Sequence, residues 1–297
     1  MKYPGVNTFA ITFYFILWVL PGMVYGQSDK VSPSGREGKP EADTGTSVHA
    51  LFAGLGGGSN MIYLGSTISQ GNPFYSAGIT YGYRNRLFIS GSASHLASIS
   101  PFVAFNSLSG SYSRTFNSWF DISAVISGYH APESLQQTVF NDFAFVNLTA
   151  GFDWKLVYTK LSIGDLISDE NSLFLQIRNS RYFETPEFFN GKALITFDPN
   201  INILFGRLVK IVTTTGVTRY GNSPPFRHLK KEPGNIIKSY SYTFGLMDLE
   251  FSLPVSFSYN NLTIEIEPGY IMPLHSNSYY PSPQGFSFNV NSYIRIF

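Results

Sequence analysis

Four carboxylates stand at every-second-residue spacing near the end of the chain: Asp248 and Glu250, then Glu265 and Glu267. If the two segments that carry them are neighbouring strands, all four acids share one stretch of wall. Like charges held that close repel unless a cation intervenes, and charged rings of this kind select ions or polar solutes where they line a passage. Arg178 and Arg295 fall on the polar face of their own alternating segments and are the basic candidates for the same interior. A second charged group is compact in sequence: Arg219, Arg227, His228, Lys230, Lys231 and Lys238, with Glu232 as the one acid between Arg219 and Lys238. Such a basic loop attracts phosphate-bearing lipid headgroups or anionic solutes. An ordinary solvated loop has the same composition. Tyr279 and Tyr280 could stack on a sugar, although aromatic girdles at a membrane interface use the same residues.

Metal and thiol chemistry find little here. The chain has no Cys, which excludes disulfides and thiolate metal sites. The five histidines (His49, His95, His130, His228, His275) are scattered, with no HxH or HExxH spacing, so no metal and no cofactor is expected. Net charge is +1, and near zero once Lys2 is removed with a leader, which argues against nucleic acid as a partner.

The elements that must position these charges are strands. From Met247 to Tyr259 every second residue is apolar, and the residues between include Asp248, Glu250, Ser252, Ser256 and Ser258. After Asn260-Asn261 the alternation resumes, with Leu262, Ile264 and Ile266 opposite Thr263, Glu265 and Glu267. Side chains on a strand alternate faces with period two. A face carrying four carboxylates must be wet. A wall with lipid outside and water inside satisfies both faces, and a closed antiparallel β-barrel is the β-structure that crosses a bilayer without orphaned backbone groups. The same code repeats along the chain: Tyr75, Ile79 and Tyr81 against Ser76 and Thr80; Ile122, Ala124 and Ile126 against Ser123 and Ser127; Val146, Leu148 and Phe152 against Asn147, Thr149 and Asp153. A soluble β-sandwich or lectin-like domain accounts for the strands, but not for the absence of any strand apolar on both faces.

Tight turns are expected near 85, 117–118, 154–155, 184–190 and 260–261. Longer connections are expected near 57–73, 98–106, 131–140, 167–171, 209–238 and 272–284. Counting between them gives twelve strands over residues 47–297. Ten or fourteen stay open, because Ala193 to Tyr220 reads either as one long strand or as two around Asp198-Pro199-Asn200. Residues 1–26 read as a secretory signal peptide: Lys2, an apolar run from Phe9 to Leu20, then Pro21-Gly22. That run is too short to span a bilayer. Residues 27–46 are polar and rich in Pro and Gly, which predicts a disordered periplasmic lead-in. Export without a spanning helix points to the outer membrane of a diderm bacterium, with both termini periplasmic.

The chain ends Tyr293-Ile294-Arg295-Ile296-Phe297. A terminal aromatic residue on an alternating strand resembles outer-membrane β-barrel proteins, in which this terminus is a recognition signal for the barrel-assembly machinery. The resemblance implies that Phe297 serves as the assembly signal and that outer-membrane lipid, lipopolysaccharide and the assembly machinery are partners. Tyr293 fits the pattern and Arg295 departs from it, since the fuller apolar set, Phe286 to Ile296, lies on the other parity. Some twelve-stranded members are phospholipases with a Ser two residues after the His. Here His95 is followed by Ser98, three residues on, and no spacing marks a third orienting group. No enzyme is expected.

The functional expectation is a porin-like channel for passive passage or uptake of small polar solutes, with Arg178, Asp248, Glu250, Glu265, Glu267 and Arg295 lining the lumen. The alternative is a non-conducting structural or partner-docking barrel. A lipid hydrolase ranks third. Phe74 and Trp119, whose parity points inward, predict partial filling of the lumen.

Overall fold

The computed structural model describes residues 48–136, 140–168, 171–213, 216, 218–222, 237–275 and 282–297. The expected signal peptide (1–26) and lead-in (27–46) lie outside the described residues, as do Arg227, His228, Lys230, Lys231, Tyr279 and Tyr280. Arg219 and Lys238 are placed only as backbone positions, on the strands Thr218–Asn222 and Ile237–Ser252.

Eight strands run up and down in sequence order: His49–Gly58, Phe74–Tyr83, Leu87–Leu96, Phe105–Asn117, Phe120–His130, Phe143–Asp153, Tyr158–Ile167 and Ser172–Ser180. Four further staves complete the wall. They are Ala193–Phe197 continued by Asn200–Thr213, Ile237–Ser252 continued by Val255–Tyr259, Leu262–Pro273, and Gly285–Arg295. Every neighbour is antiparallel, and the last strand pairs with the first from Phe52↔Arg295 to Gly58↔Asn289. The wall is therefore a closed ring of twelve staves with no free edge. Most strands have the length a tilted bilayer crossing needs, about 9–11 residues.

Tight turns gather at one end and long connections at the other, where the alternation placed them. Arg84 and Asn85 both take positive φ (53° and 52°), and the N–H of Arg86 donates to the Tyr83 carbonyl at 3.1 Å. Asn260 does the same at φ 50°. Asn tolerates this left-handed backbone better than most residues.

The ambiguous stretch after Ala193 is one stave with an interruption. Pro199, Pro254 and Pro268 sit on three adjacent staves at the same height. Proline has no N–H to give to a ladder, so the ladder breaks there and irregular bonds bridge it: Asp198 N–H to Pro254 O at 3.0 Å and Leu253 N–H to Pro268 O at 3.0 Å. At the long-loop end the wall grows upward. The strand Thr218–Asn222 folds back onto Leu208–Val212, beyond the end of Ser172–Ser180.

The outward face is apolar, with Ile126 59%, Leu148 54% and Ile163 49% exposed. Aromatic rims flank this belt, with Phe116, Trp119 and Trp154 at the tight-turn end and Tyr75, Tyr240 and Phe286 at the other. That much exposed hydrocarbon is untenable in water and fits a lipid-bathed wall. The inward face is small and hydroxylated: Thr80, Ser92, Ser94, Ser107, Ser109 and Ser127 are all buried.

One part of the alternation is corrected. Met247, expected on the lipid face, is fully buried inside the barrel. A bulge lies between the pairs Leu204↔Asp248 and Phe205↔Leu246, so Met247 and Asp248 oppose a single partner and both turn inward. An extra residue in one strand shifts parity from that point on.

Candidate functional site: a capped polar lumen

The loop-end half of the lumen is filled by the connection between the first two wall strands. Residues 60–72 form a hairpin, with Ile62–Tyr63 paired to Ser66–Thr67. Leu64 (φ 49°) and Gly65 (φ 72°) occupy the turn. Two positive φ values in a two-residue loop define the turn type that favours Gly at the second position. The hairpin is tied to itself. Asn60 Oδ1 accepts from Thr67 Oγ1 (2.5 Å), Ser69 Oγ (2.9 Å) and Gly71 N–H (3.2 Å). Met61 N–H donates to Ser69 Oγ at 2.8 Å, and Ile68 N–H donates to Met61 O at 2.8 Å. Backbone bonds to the wall occur at its two roots: Ser59 N–H to Phe288 O at 2.9 Å, and Ala97 N–H to Pro73 O at 3.0 Å.

The hairpin is held in the barrel by apolar packing. Met61, Tyr63, Leu64 and Ile68 are buried against Phe74, Phe105, Tyr129, Phe143, Phe145 and Phe174. The Tyr63 ring lies 5.6 Å from Tyr129, 6.0 Å from Phe143 and 5.8 Å from Phe145, the last edge-on. Each large apolar side chain removed from water contributes roughly 1.5–3 kcal/mol, so four of them hold a short hairpin without a ladder. Phe74 fills the lumen as its parity predicts. Trp119 does not: it is 53% exposed on the tight-turn rim.

Beneath the hairpin lies a cavity of about 340 Å³. One side is lined by neutral hydroxyls and amides, including Ser90, Ser109, Ser127, Asn147, Thr149 and Ser162. The other is charged, with Lys160, Arg178, Glu250 and Glu267 on its surface. Arg178 Nη2 donates to Asp198 Oδ2 at 3.1 Å, and the same guanidinium attracts Glu250, Glu265 and Glu267. Neutral donors hold the acids in place. Asn202 Nδ2 donates to Glu250 Oε2 at 2.8 Å, Ser256 Oγ to Glu265 Oε2 at 3.0 Å, and Ser252 to Glu267.

The four expected acids separate into two groups. Glu250, Glu265 and Glu267 lie within electrostatic reach of Arg178. Asp248 lies higher, only 1% exposed, with neither carboxylate oxygen hydrogen-bonded. It faces the tip of the hairpin, where a Cβ on Gly65 would lie 2.5 Å from Asp248 Oδ2. Arg295 is not brought to the cluster. It is exposed at the tight-turn rim, where its Nε donates to Phe297 O at 3.3 Å. Phe297 itself is 55% exposed, and its carbonyl accepts from Leu51 N–H at 3.1 Å. The last strand keeps one continuous register with both neighbours, so the parity mismatch at Arg295 involves no bulge.

Sequence reasoning missed the hairpin, Asp198, Lys160 and Asn202. The hairpin did carry a signal. Met61, Ile62, Tyr63, Leu64 and Ile68 give the 57–73 connection more apolar character than a solvated loop needs. Of the described histidines, His130 Nδ1 pairs with Asp142 Oδ2 at 2.6 Å with both side chains about half exposed, and His95 Nδ1 contacts Phe102 O at 2.7 Å. Among the described residues no group of three His, Cys, Asp or Glu is placed to hold a metal ion.

A closed antiparallel ring with an apolar belt outside and hydroxyls and charges inside defines the class: an outer-membrane β-barrel. Solved structures with a similar trace include LpxR from Salmonella typhimurium, at 6% identity and TM-score 0.44 over 82% of this chain and 99% of that one. Others are the translocator domain of the autotransporter NalP from Neisseria meningitidis (10%, TM-score 0.34, 86% and 90%) and OmpT, an outer membrane protein of Vibrio cholerae (8%, TM-score 0.26, 85% and 99%). No family model and no curated protein matches the sequence.

Proposed function

We propose that the protein is a gated barrel of the outer membrane, closed at its long-loop end by the 60–72 hairpin. Small polar solutes pass or enter when that hairpin leaves the lumen. The observation that supports this reading is how the hairpin is attached. The hydrogen bonds of Asn60 and Met61 are internal, the roots are held by backbone bonds at Ser59 and Pro73, and apolar contact seats the rest, with one long bond from the Tyr129 hydroxyl to the Tyr63 hydroxyl at 3.5 Å. A segment built this way moves as a unit, because undocking breaks no ladder bond of the wall. The tight-turn end, with both termini, faces the periplasm in this reading.

The experiment is single-channel recording in a planar bilayer with the intact barrel and a variant lacking residues 61–70. Intact barrel that is mostly closed and a deletion variant that gives steady conductance steps support the gate. A folded deletion variant that conducts no more than the bilayer leak sinks it, and supports the second reading, a non-conducting docking barrel.

A further inference from the structure

Among the described acids of the lumen, Asp248 stands apart. Glu250, Glu265 and Glu267 each take a hydrogen bond from a neutral donor: Asn202, Ser256 and Ser252 in turn. Asp248 takes none. Both its carboxyl oxygens are out of reach of solvent and unbonded, and the residue is 1% exposed. A buried acceptor left unmade is costly, and an ionised one far more so.

The hairpin completes this burial. A Cβ on Gly65 would lie 2.5 Å from Asp248 Oδ2 and 3.2 Å from Leu204 Cδ2, so the tip closes directly over the carboxyl. The surroundings are apolar. Leu204 is the ladder partner of Asp248, and Leu64, Phe174, Leu204 and Met247 belong to one buried cluster. The hairpin's own polar groups are turned to Asn60 and Ser69.

Few charged or titratable groups face this acid. Glu250, two residues along the same strand, acts on it directly, and Glu250 is itself attracted by Arg178. The stave Asn200–Thr213 presents Asn202, Leu204 and Gly206, all neutral. On the stave Leu262–Pro273 the partner is Pro273, with Ile271 on one side of it and His275 two residues beyond. Phe174, one stave further round, is neutral. The hairpin brings Tyr63, whose hydroxyl accepts from Tyr129.

We propose that Asp248 makes the gate proton-sensitive: the hairpin seats on the uncharged carboxyl and is released when Asp248 gives up its proton. This rests on the gated-barrel reading, whose trigger it supplies. Linkage fixes the sign. Undocking opens the carboxyl to water, and water favours the charged form. Loss of the proton therefore favours the undocked hairpin, so rising pH opens the barrel. Repulsion from an ionised Glu250 acts in the same direction.

The test has two readouts, each taken from about pH 5 to about pH 9. One is open probability in a planar bilayer. The other is docking itself, read without conduction. Ile68→Cys, at a hairpin position 4% exposed, is labelled with a maleimide in detergent, and its rate is normalised to that of the exposed Phe102→Cys. Both readouts should rise roughly tenfold or more with pH. Asp248→Asn should abolish the pH dependence of both. Asp248→Leu should keep the hairpin docked throughout, and serves as the second variant should the first fail to fold. Labelling that is flat with pH overturns the proposal, as does a pH dependence that survives in folded Asp248→Asn. Labelling that rises with pH in a barrel that never conducts, with or without residues 61–70, overturns the gate and leaves the proton switch standing. Flat labelling together with steady conductance of the 61–70 deletion does the reverse.

Discussion

Gly65 sits where two costs coincide, so replacing it tests the gate directly. Its φ of 72° lies in the left-handed region, where an L side chain costs roughly 1–2 kcal/mol. A Cβ there would also lie 2.5 Å from Asp248 Oδ2, 3.2 Å from Leu204 Cδ2 and 3.3 Å from Met247 Cε. Crowding of this kind in a packed interior costs about 1–3 kcal/mol. Gly65→Ala should therefore destabilise the docked hairpin by about 2–5 kcal/mol, which raises the undocked population roughly thirtyfold to several thousandfold. Gly71 is the matched control. Its φ is 82°, but a Cβ there meets nothing within 4 Å. Gly71→Ala carries the backbone cost alone, about 1–2 kcal/mol. In planar-bilayer recordings the open probability should rank Gly65→Ala above Gly71→Ala above the unaltered barrel. The clash acts at the interface between hairpin and wall, so both variants should keep the unaltered barrel's heat-modifiable mobility on gels. Equal open probability for the two variants, or a folded Gly65→Ala barrel that stays shut, would refute the argument that the hairpin tip is seated against Asp248.

Other consequences are open to simpler measurements. Asn60→Ala removes the acceptor of three hydrogen bonds and should loosen the hairpin by about 1–3 kcal/mol; limited proteolysis should then cut within 60–73 while the wall stays intact, and unchanged protection would show that apolar packing alone orders the segment. Arg178→Met leaves Asp198 without its 3.1 Å partner inside the barrel, a loss of about 3–5 kcal/mol. The midpoint of urea unfolding should fall, and Asp198→Asn in the same chain should restore part of it. A double variant no more stable than Arg178→Met would argue that the pair contributes little. The absence of native Cys makes topology easy to read. Phe102→Cys (76% exposed at the long-loop end) should react with a membrane-impermeant maleimide on intact cells, and Leu156→Cys (85% exposed at the tight-turn end) only after the outer membrane is opened. The reverse pattern would invert the barrel.

The wall of this protein was legible in the sequence because its determinants are local. Period-two alternation in segments such as Tyr75–Tyr81 and Ala144–Phe152 assigns each side chain to lipid or lumen without knowledge of any partner strand. Turn chemistry at Arg84-Asn85 and Asn260-Asn261 fixes which end is short. Counting reaches twelve staves, with ten or fourteen open until the stretch after Ala193 is seen as one interrupted stave. The sequence also gathered Glu250, Glu265 and Glu267 on one side, since they lie on the wet parity of adjacent staves. Tertiary structure alone decided the rest. Pro199, Pro254 and Pro268 align only once three staves are in register. The turn of Met247 into the lumen depends on a bulge between two strands, which a single strand marks only by the change of apolar parity from Tyr240, Tyr242, Phe244 and Leu246 to Leu249 and Phe251. The 60–72 hairpin found its place because Tyr63 meets Tyr129, Phe143 and Phe145 from staves far away in sequence, and Gly65 reaches Asp248 across the lumen. Alternation says which way a residue points; whether the space it points into is empty depends on what the opposite wall and the intervening loop deliver there.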